Sequence, residues 1–203
     1  MSHVKHAKTD HPIEKLLSLR WSPYSFADKD ISPEDLRALF EAVRWAPSSY
    51  NEQPWRYIVA RRLDSAAFGN LLSCLVEANQ IWARHAPVLA IGVAMLNFAR
   101  NGKPNKAAFH DLGLAAGNLG VEATARGLCL HQMIGIFPER ARELYKIPDE
   151  AEAFTALAIG YPGDGRNLPE DLQARDRSPR SRRPGTSIVF EGTWGEPAGF
   201  AKA

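Results

Sequence analysis

The spacing of apolar and polar positions marks out the helices first. From Ile13 to Leu19 apolar residues recur at helical intervals, and the run breaks in a loop, Arg20-Trp21-Ser22-Pro23-Tyr24. Ser32 followed by Pro33, Glu34 and Asp35 predicts a helix start: a hydroxyl cap, proline at the first helical position, and acids near the positive end of the dipole. Leu36, Leu39, Phe40 and Val43 continue that helix, and Pro47 ends it. Phe68 to Ala83 reads as one further helix. The longest runs from Ala107 to Arg126, with Gly113, Ala116, Gly117 and Gly120 spaced three and four apart on one face. Small residues there would admit a second backbone closely, and Gly127 supplies the C-terminal cap. A short helix starts at Pro138.

Strands are expected at Trp55 to Ala60, Val88 to Met95, Leu128 to Met133 and Phe154 to Tyr161. The unbroken apolar run of the second predicts burial on both faces. After Pro162 the chain is polar and reads as irregular through Arg183, before a last short strand from Ser187 to Phe190. The first dozen residues read as a mobile polar tail. With no repeat and no linker, this order predicts a single α+β domain.

Composition narrows the function classes. The 203 residues carry a formal charge of +2, which gives no general pull toward nucleic acid or an anionic membrane. No apolar run approaches the roughly 20 residues of a membrane helix, and the opening lacks a secretory signal's apolar segment. Cys74 and Cys129 lie in apolar surroundings, so a reducing, cytoplasmic setting is expected. His3, His6 and His11 do not make the four-ligand spacing of a structural metal site, and no metal is expected.

Three polar segments carry groups suited to gripping a ligand. Residues 19–26, LRWSPYSF, offer the Arg20 guanidinium and Ser22 hydroxyl to an anion. Residues 44–59 place Pro47, Ser48, Ser49, Asn51 and Gln53 between a helix end and a strand start, where two amides can read a heterocycle's mixed donor and acceptor edge. In residues 175–184, RDRSPRSRRP, Arg180 and Arg182 alternate along an extended stretch and can aim at one anion. That segment lacks the interleaved aromatics of a nucleic-acid surface, so no nucleic-acid partner is expected.

Together, APSSYNEQPW before a strand, the opening RWS, and SPRSRRP followed by IVFEG-x-WG resemble the FMN-dependent nitroreductase family, over about Pro12 to Gly195. The resemblance implies a nitroreductase-like fold: a central mixed, mainly antiparallel sheet flanked by helices, in an intertwined homodimer. It implies one FMN-binding domain at 12–195 between tails at 1–11 and 196–203. Arg20 and Ser22, with Arg180 and Arg182, would hold the FMN phosphate, and Trp21 would stand among the cofactor-binding residues. Pro47, Ser48, Ser49 and Asn51 would line the flavin from the other subunit, with Gln53 nearby. Asn79 would bind the pyrimidine edge, and the backbone of Ile134 and Gly135 would lie by flavin N5, where a residue without Cβ allows close approach.

Electrons would pass from NADH or NADPH through flavin N5 to a small oxidised acceptor by a ping-pong route. The alternative is a flavin carrier or sensor without turnover. No side chain need act as a catalyst; His110, beside Asp111, is the candidate acid. Two positions depart from the family: Tyr24 and Trp82 stand where relatives often carry cations. The reduced flavin would then have a lower potential, or another cation such as Arg56 or Arg84 would take over.

Overall fold

The computed structural model describes residues 3–201. In chain order the regular elements are α1 (Lys15–Leu19), α2 (Pro33–Arg44), β1 (Trp55–Arg61), α3 (Ser65–Leu72), α4 (Glu77–Ala83), β2 (Val88–Met95), α5 (Ala108–Ala125), β3 (Cys129–Met133), α6 (Pro138–Tyr145), β4 (Ala151–Gly160) and α7 (Glu170–Arg177). The four strands form one sheet in the order β1-β2-β4-β3. Every pairing is antiparallel, so the parallel component of a mixed sheet is absent among the described residues.

The sheet separates two cores. Period-two alternation sends Leu89, Ile91 and Val93 of β2 to one face, with Phe68, Trp82 and Ala141 from the helices there. Val88, Ala90 and Ala94 turn to the other, under Leu39, Leu112 and Leu119 of α2 and α5. Because β2 feeds both cores it is buried along nearly all its length, as its unbroken apolar run foretells. The register slips between Gly92 and Val93. A Cβ at Gly92 would meet the Thr155 methyl at 2.9 Å, so the bulge sits where only glycine fits beside β4.

Local sequence explains where α2 starts. The Ser32 hydroxyl accepts from the Asp35 N–H at 2.9 Å, with Pro33 following. Elsewhere tertiary contacts overrule the pattern. The expected helix from Phe68 to Ala83 is two helices, because residues 73–76 pair with residues 135–137. Leu75 bridges Ile136, Phe137 N–H donates to Cys74 O at 2.7 Å, and Val76 N–H donates to Gly135 O at 3.0 Å. Conversely, α7 forms in a stretch expected to be irregular. Its acids Glu170 and Asp171 begin it and Arg175 and Arg177 end it, which suits the dipole. Only Leu172 of α7 is buried, so there was no apolar stripe to read.

Two more expectations are corrected. Residues 187–190 are not a strand: a short 3₁₀ turn spans Gly185–Ser187, and Phe190 makes one isolated bridge to Pro197. A strand needs a neighbour to bond to, and among the described residues no sheet edge pairs with this stretch. The N-terminal residues are not loose throughout. Lys5 is buried, its Nζ donates to Arg175 O, and Ala7 N–H donates to Ser18 O.

Trp82 knits the first core together. It is 1 % exposed, stacks on Phe26, and meets Tyr24 edge-on at 5.3 Å and His131 at 4.3 Å between ring centroids. Trp82→Ala should lower stability by about 3–5 kcal/mol, read as a fall in the urea unfolding midpoint at unchanged m-value. A shift worth under about 1 kcal/mol would contradict this packing role.

Candidate functional site

Arginines gather where the chain returns to its N-terminal third. Arg180 donates through its two terminal nitrogens to the carbonyls of Arg20 and Ser18, pinning residues 178–184 along the end of α1. Its remaining donor, Nε, is buried without a partner. Arg20 Nη1 lies 3.4 Å from the Ser22 hydroxyl. Arg20, Arg180 and Arg182 all line one cavity of about 530 Å³, with Ile13 and Leu17 as apolar wall. Burial, and then the Arg182 charge, pull the Arg20 pKa down; burial, then Arg20 and Arg182, do the same to Arg180. No ion pair with a carboxylate relieves any of the three among the described residues. Like charges held together around a cavity are the groups that could hold a polyvalent anion.

Trp21 belongs to the neighbouring surface. The His3 ring lies 5.5 Å from it and Lys5 Nζ lies over it, also at 5.5 Å, so its ring supports the N-terminal segment. Ser25 and Tyr24 are fixed from α7: the Asp176 carboxylate accepts from both of their N–H groups at 2.9–3.1 Å. That contact was not legible from sequence, because α7 itself was not.

The second cluster sits at the other end of α5. Buried Asp111 accepts from Ser49 N–H at 2.9 Å through one oxygen and meets His110 Nδ1 at 2.9 Å through the other. The Ser48 hydroxyl accepts from Gln53 N–H at 2.9 Å, and Gln53 Nε2 donates to Asn51 O. Tyr50, Asn51 and Gln53 all have left-handed backbones. Pro47 and Asn51 are exposed and Ser48, Ser49 and Gln53 half-buried, so the loop presents its polar groups outward. His110 is also exposed. Asp111 is the residue that sequence reading passed over; it stands in the first turn of α5, where an acid is ordinarily explained by the dipole alone.

The third cluster joins α4 to the end of β3. Asn79 Nδ2 donates to Gly135 O at 3.0 Å. A Cβ at Gly135 would lie 2.7 Å from that same Nδ2 and 2.8 Å from Val76 Cγ2. The need for glycine here therefore comes from packing against α4. Ile134 beside it is exposed.

Arg20 and Asp111 are tied to one helix at separate heights. Gly120 of α5 faces Arg20 Cδ, which a Cβ would meet at 3.8 Å, and Asp111 is nine residues earlier. Nine residues of helix rise about 13 Å. The anion cavity and the amide loop are thus held apart within one protomer. The small residues of α5 also divide: Gly113 and Gly117 are exposed with open space beyond them, whereas Ala116 and Gly120 are buried.

The two departures resolve differently. Trp82 faces the core, so no cation at that position could be in water. Tyr24 packs on Trp82 and His131, with Arg175 over its outer face at 5.9 Å. Of the proposed substitutes, Arg56 is held by the carbonyls of Gln53 and Trp55 beside the amide loop, while Arg84 bonds back to Gln80 O of its own helix.

With this geometry in place, comparison identifies the class. Residues 17–161 match the Nitroreductase family, and the chain belongs to that family. A crystal structure of an oxidoreductase containing FMN superposes with a TM-score of 0.88 at 33 % identity, covering 97 % of this chain and 100 % of the other. An NADH dehydrogenase of Thermus thermophilus is 30 % identical over 164 residues, 67 % of this chain and 80 % of the relative. An uncharacterised 15.4 kDa protein of Mycolicibacterium smegmatis is 33 % identical over 152 residues, 70 % of this chain and 99 % of the relative. Among the described residues no helix is long and apolar enough to cross a membrane.

His131 supplies a pH signature. Its Nδ1 donates to Pro23 O at 2.8 Å, and burial holds its pKa below the ordinary imidazole value. A histidine whose folded pKa is depressed takes up its proton more readily when unfolded, so stability falls as pH drops below about 6.5. Burial lowers His85 in the same direction. In urea titrations at pH 8 and pH 5.5, His131→Phe should lose less stability on acidification than the wild type. Equal losses would show that His131 contributes nothing to the acid limb.

Proposed function

We propose that this chain is an FMN-dependent oxidoreductase that passes electron pairs from NAD(P)H to a small oxidised acceptor by a ping-pong route, as a homodimer. The observation that carries this reading is the cavity where Arg20, Arg180 and Arg182 converge without a carboxylate partner. The donor set fits a phosphate monoester. Arg20 and Arg182 in the lining can present planar pairs of N–H groups, and the Ser22 hydroxyl, outside the lining, stands 3.4 Å from Arg20 Nη1. The comparisons favour the same group, since the oxidoreductase structure described above contains FMN.

Bound FMN would supply the redox chemistry, taking up and releasing an electron pair at N5. What the protein does is bind and orient. Arg20, Ser22, Arg180 and Arg182 would hold the phosphate. Asn79 would face the pyrimidine edge, with the backbone of Ile134 and Gly135 beside the reacting face. Asp111 fixes Ser49 and the Ser48 hydroxyl fixes Gln53, so the amide loop is rigid before any ligand arrives.

The separation of about 13 Å along α5 favours completion of each site by the amide loop of a second protomer. Exposed Gly113 and Gly117 with Leu114 give α5 an outer face that a second copy can cover. No side-chain acid is required, and exposed His110 has its Nδ1 committed to Asp111.

Purified protein should carry flavin absorption bands that bleach on anaerobic addition of NADH or NADPH and return with acceptor. Bands that never bleach would favour a carrier or sensor, and refusal of added FMN would overturn the reading. Charge-assisted hydrogen bonds are each worth about 1.5–3 kcal/mol, so Arg20→Ala and Arg182→Ala should each raise the FMN Kd about 10- to 100-fold. Flavin fluorescence titration measures this, and an unchanged Kd in both variants would remove the arginines from the site.

A further inference from the structure

Residues 3–10 lie before the span that matches the family, yet residues 7–10 line the arginine cavity. Three anchors hold them. Ala7 N–H donates to Ser18 O at 3.0 Å, at the end of α1. The His3 ring sits against Trp21. Lys5 is only 8 % exposed; its Nζ donates to Arg175 O at 2.5 Å and lies over the Trp21 ring. An ammonium is rarely buried unless it is bonded in place. Here burial lowers the Lys5 pKa, Asp176 opposes that, and Arg180 adds to it.

The anchoring puts residues 7–10 along one side of the cavity, with residues 180–184 among those that line it too. Lys8 and Thr9 thereby join Arg20, Arg180 and Arg182 in the lining. Asp10 stands in the same lining as its one acid, and it is exposed. Without residues 7–10 the arginines would line a cleft that is open on one side.

We propose that the N-terminal segment is a wall of the cofactor site: Lys8 is a further cation for the terminal phosphate of the bound flavin nucleotide, and Lys5 is the peg that positions it. This rests on the FMN reading above. The role differs from that of the arginines. They would be set by the body of the fold, whereas Lys8 is held by a strap that has to peel away before the phosphate can leave. The strap therefore acts chiefly on the rate of cofactor loss.

Lys8→Ala and Lys5→Met, each in the full chain, are compared with wild type for FMN and for riboflavin, which lacks the phosphate. Lys8 is exposed, so its variant should fold normally. Lys8→Ala should raise the FMN Kd about three- to tenfold and leave the riboflavin Kd unchanged. Lys5→Met should speed FMN release about tenfold. FMN should protect the first ten residues of wild type from limited proteolysis and fail to do so in Lys5→Met. If wild type binds FMN and both variants match it in Kd, release rate and cleavage, the segment is not part of the site. If Lys8→Ala weakens FMN and riboflavin equally, Lys8 does not act on phosphate. If wild type binds neither flavin, the functional reading fails first and this one with it.

Discussion

Repulsion among the guanidiniums of Arg20, Arg180 and Arg182 is the constraint around which the functional end of the molecule is arranged. Burial lowers the proton affinity of Arg20 and Arg180, and neighbouring charges add to it, Arg182 acting on Arg20 and both Arg20 and Arg182 on Arg180. A fold keeps such a cluster when something else holds the side chains in place. Here Arg180 is held by two main-chain carbonyls, of Ser18 and Arg20. Those bonds secure the long C-terminal stretch against α1, and among the described residues no carboxylate forms an ion pair with any of the three arginines. An anion entering the cavity would relieve that repulsion, so charge would govern binding there before shape.

Helix α5 then sets the distances. It packs on the sheet through Leu112, Ala115, Leu119 and Ala123, so neither end can shift without disturbing a core. Near one end Asp111 holds the amide loop, and towards the other Gly120 lies beneath Arg20. The helix works as a ruler between the arginine cavity and the amide loop. Its glycines have two separate uses, one at the inner contact under Arg20 and one on an outer face left open.

Much of this was legible in the sequence because local chemistry and tertiary contacts agree there. Ser32-Pro33 starts α2 as its cap predicts, and the apolar run of β2 means burial on both faces. The arginines at 20, 180 and 182 were picked out by type and spacing, and they do meet. What sequence could not show came from contacts between distant segments. Residues 73–76 leave a helical path to bond residues 135–137. Polar α7 exists because Asp176 bonds the backbone at Tyr24 and Ser25 while Leu172 anchors it. Gly135 is needed for a reason that only the position of Asn79 reveals, and Trp82, read as standing where relatives carry a cation, is core.

The amide loop shows how the fold maintains a backbone it would not otherwise adopt. Left-handed conformations at Tyr50 and Gln53 cost about 1–2 kcal/mol each, and less at Asn51, whose side chain tolerates that region. Four contacts over-determine the loop. Asp111 takes Ser49 N–H, Ser48 takes Gln53 N–H, Glu52 accepts from Ala99 N–H at 2.6 Å, and Arg100 covers the Tyr50 ring at 4.1 Å. Two of these come from the hairpin closed by the Asn97–Pro104 bridge, so that short turn serves as a buttress. Strain sustained in this way leaves little reorganisation for the moment of binding. In the proposed reading the two regions would divide the work: the loop would set orientation, and the arginine cavity would supply the attraction for an anionic ligand.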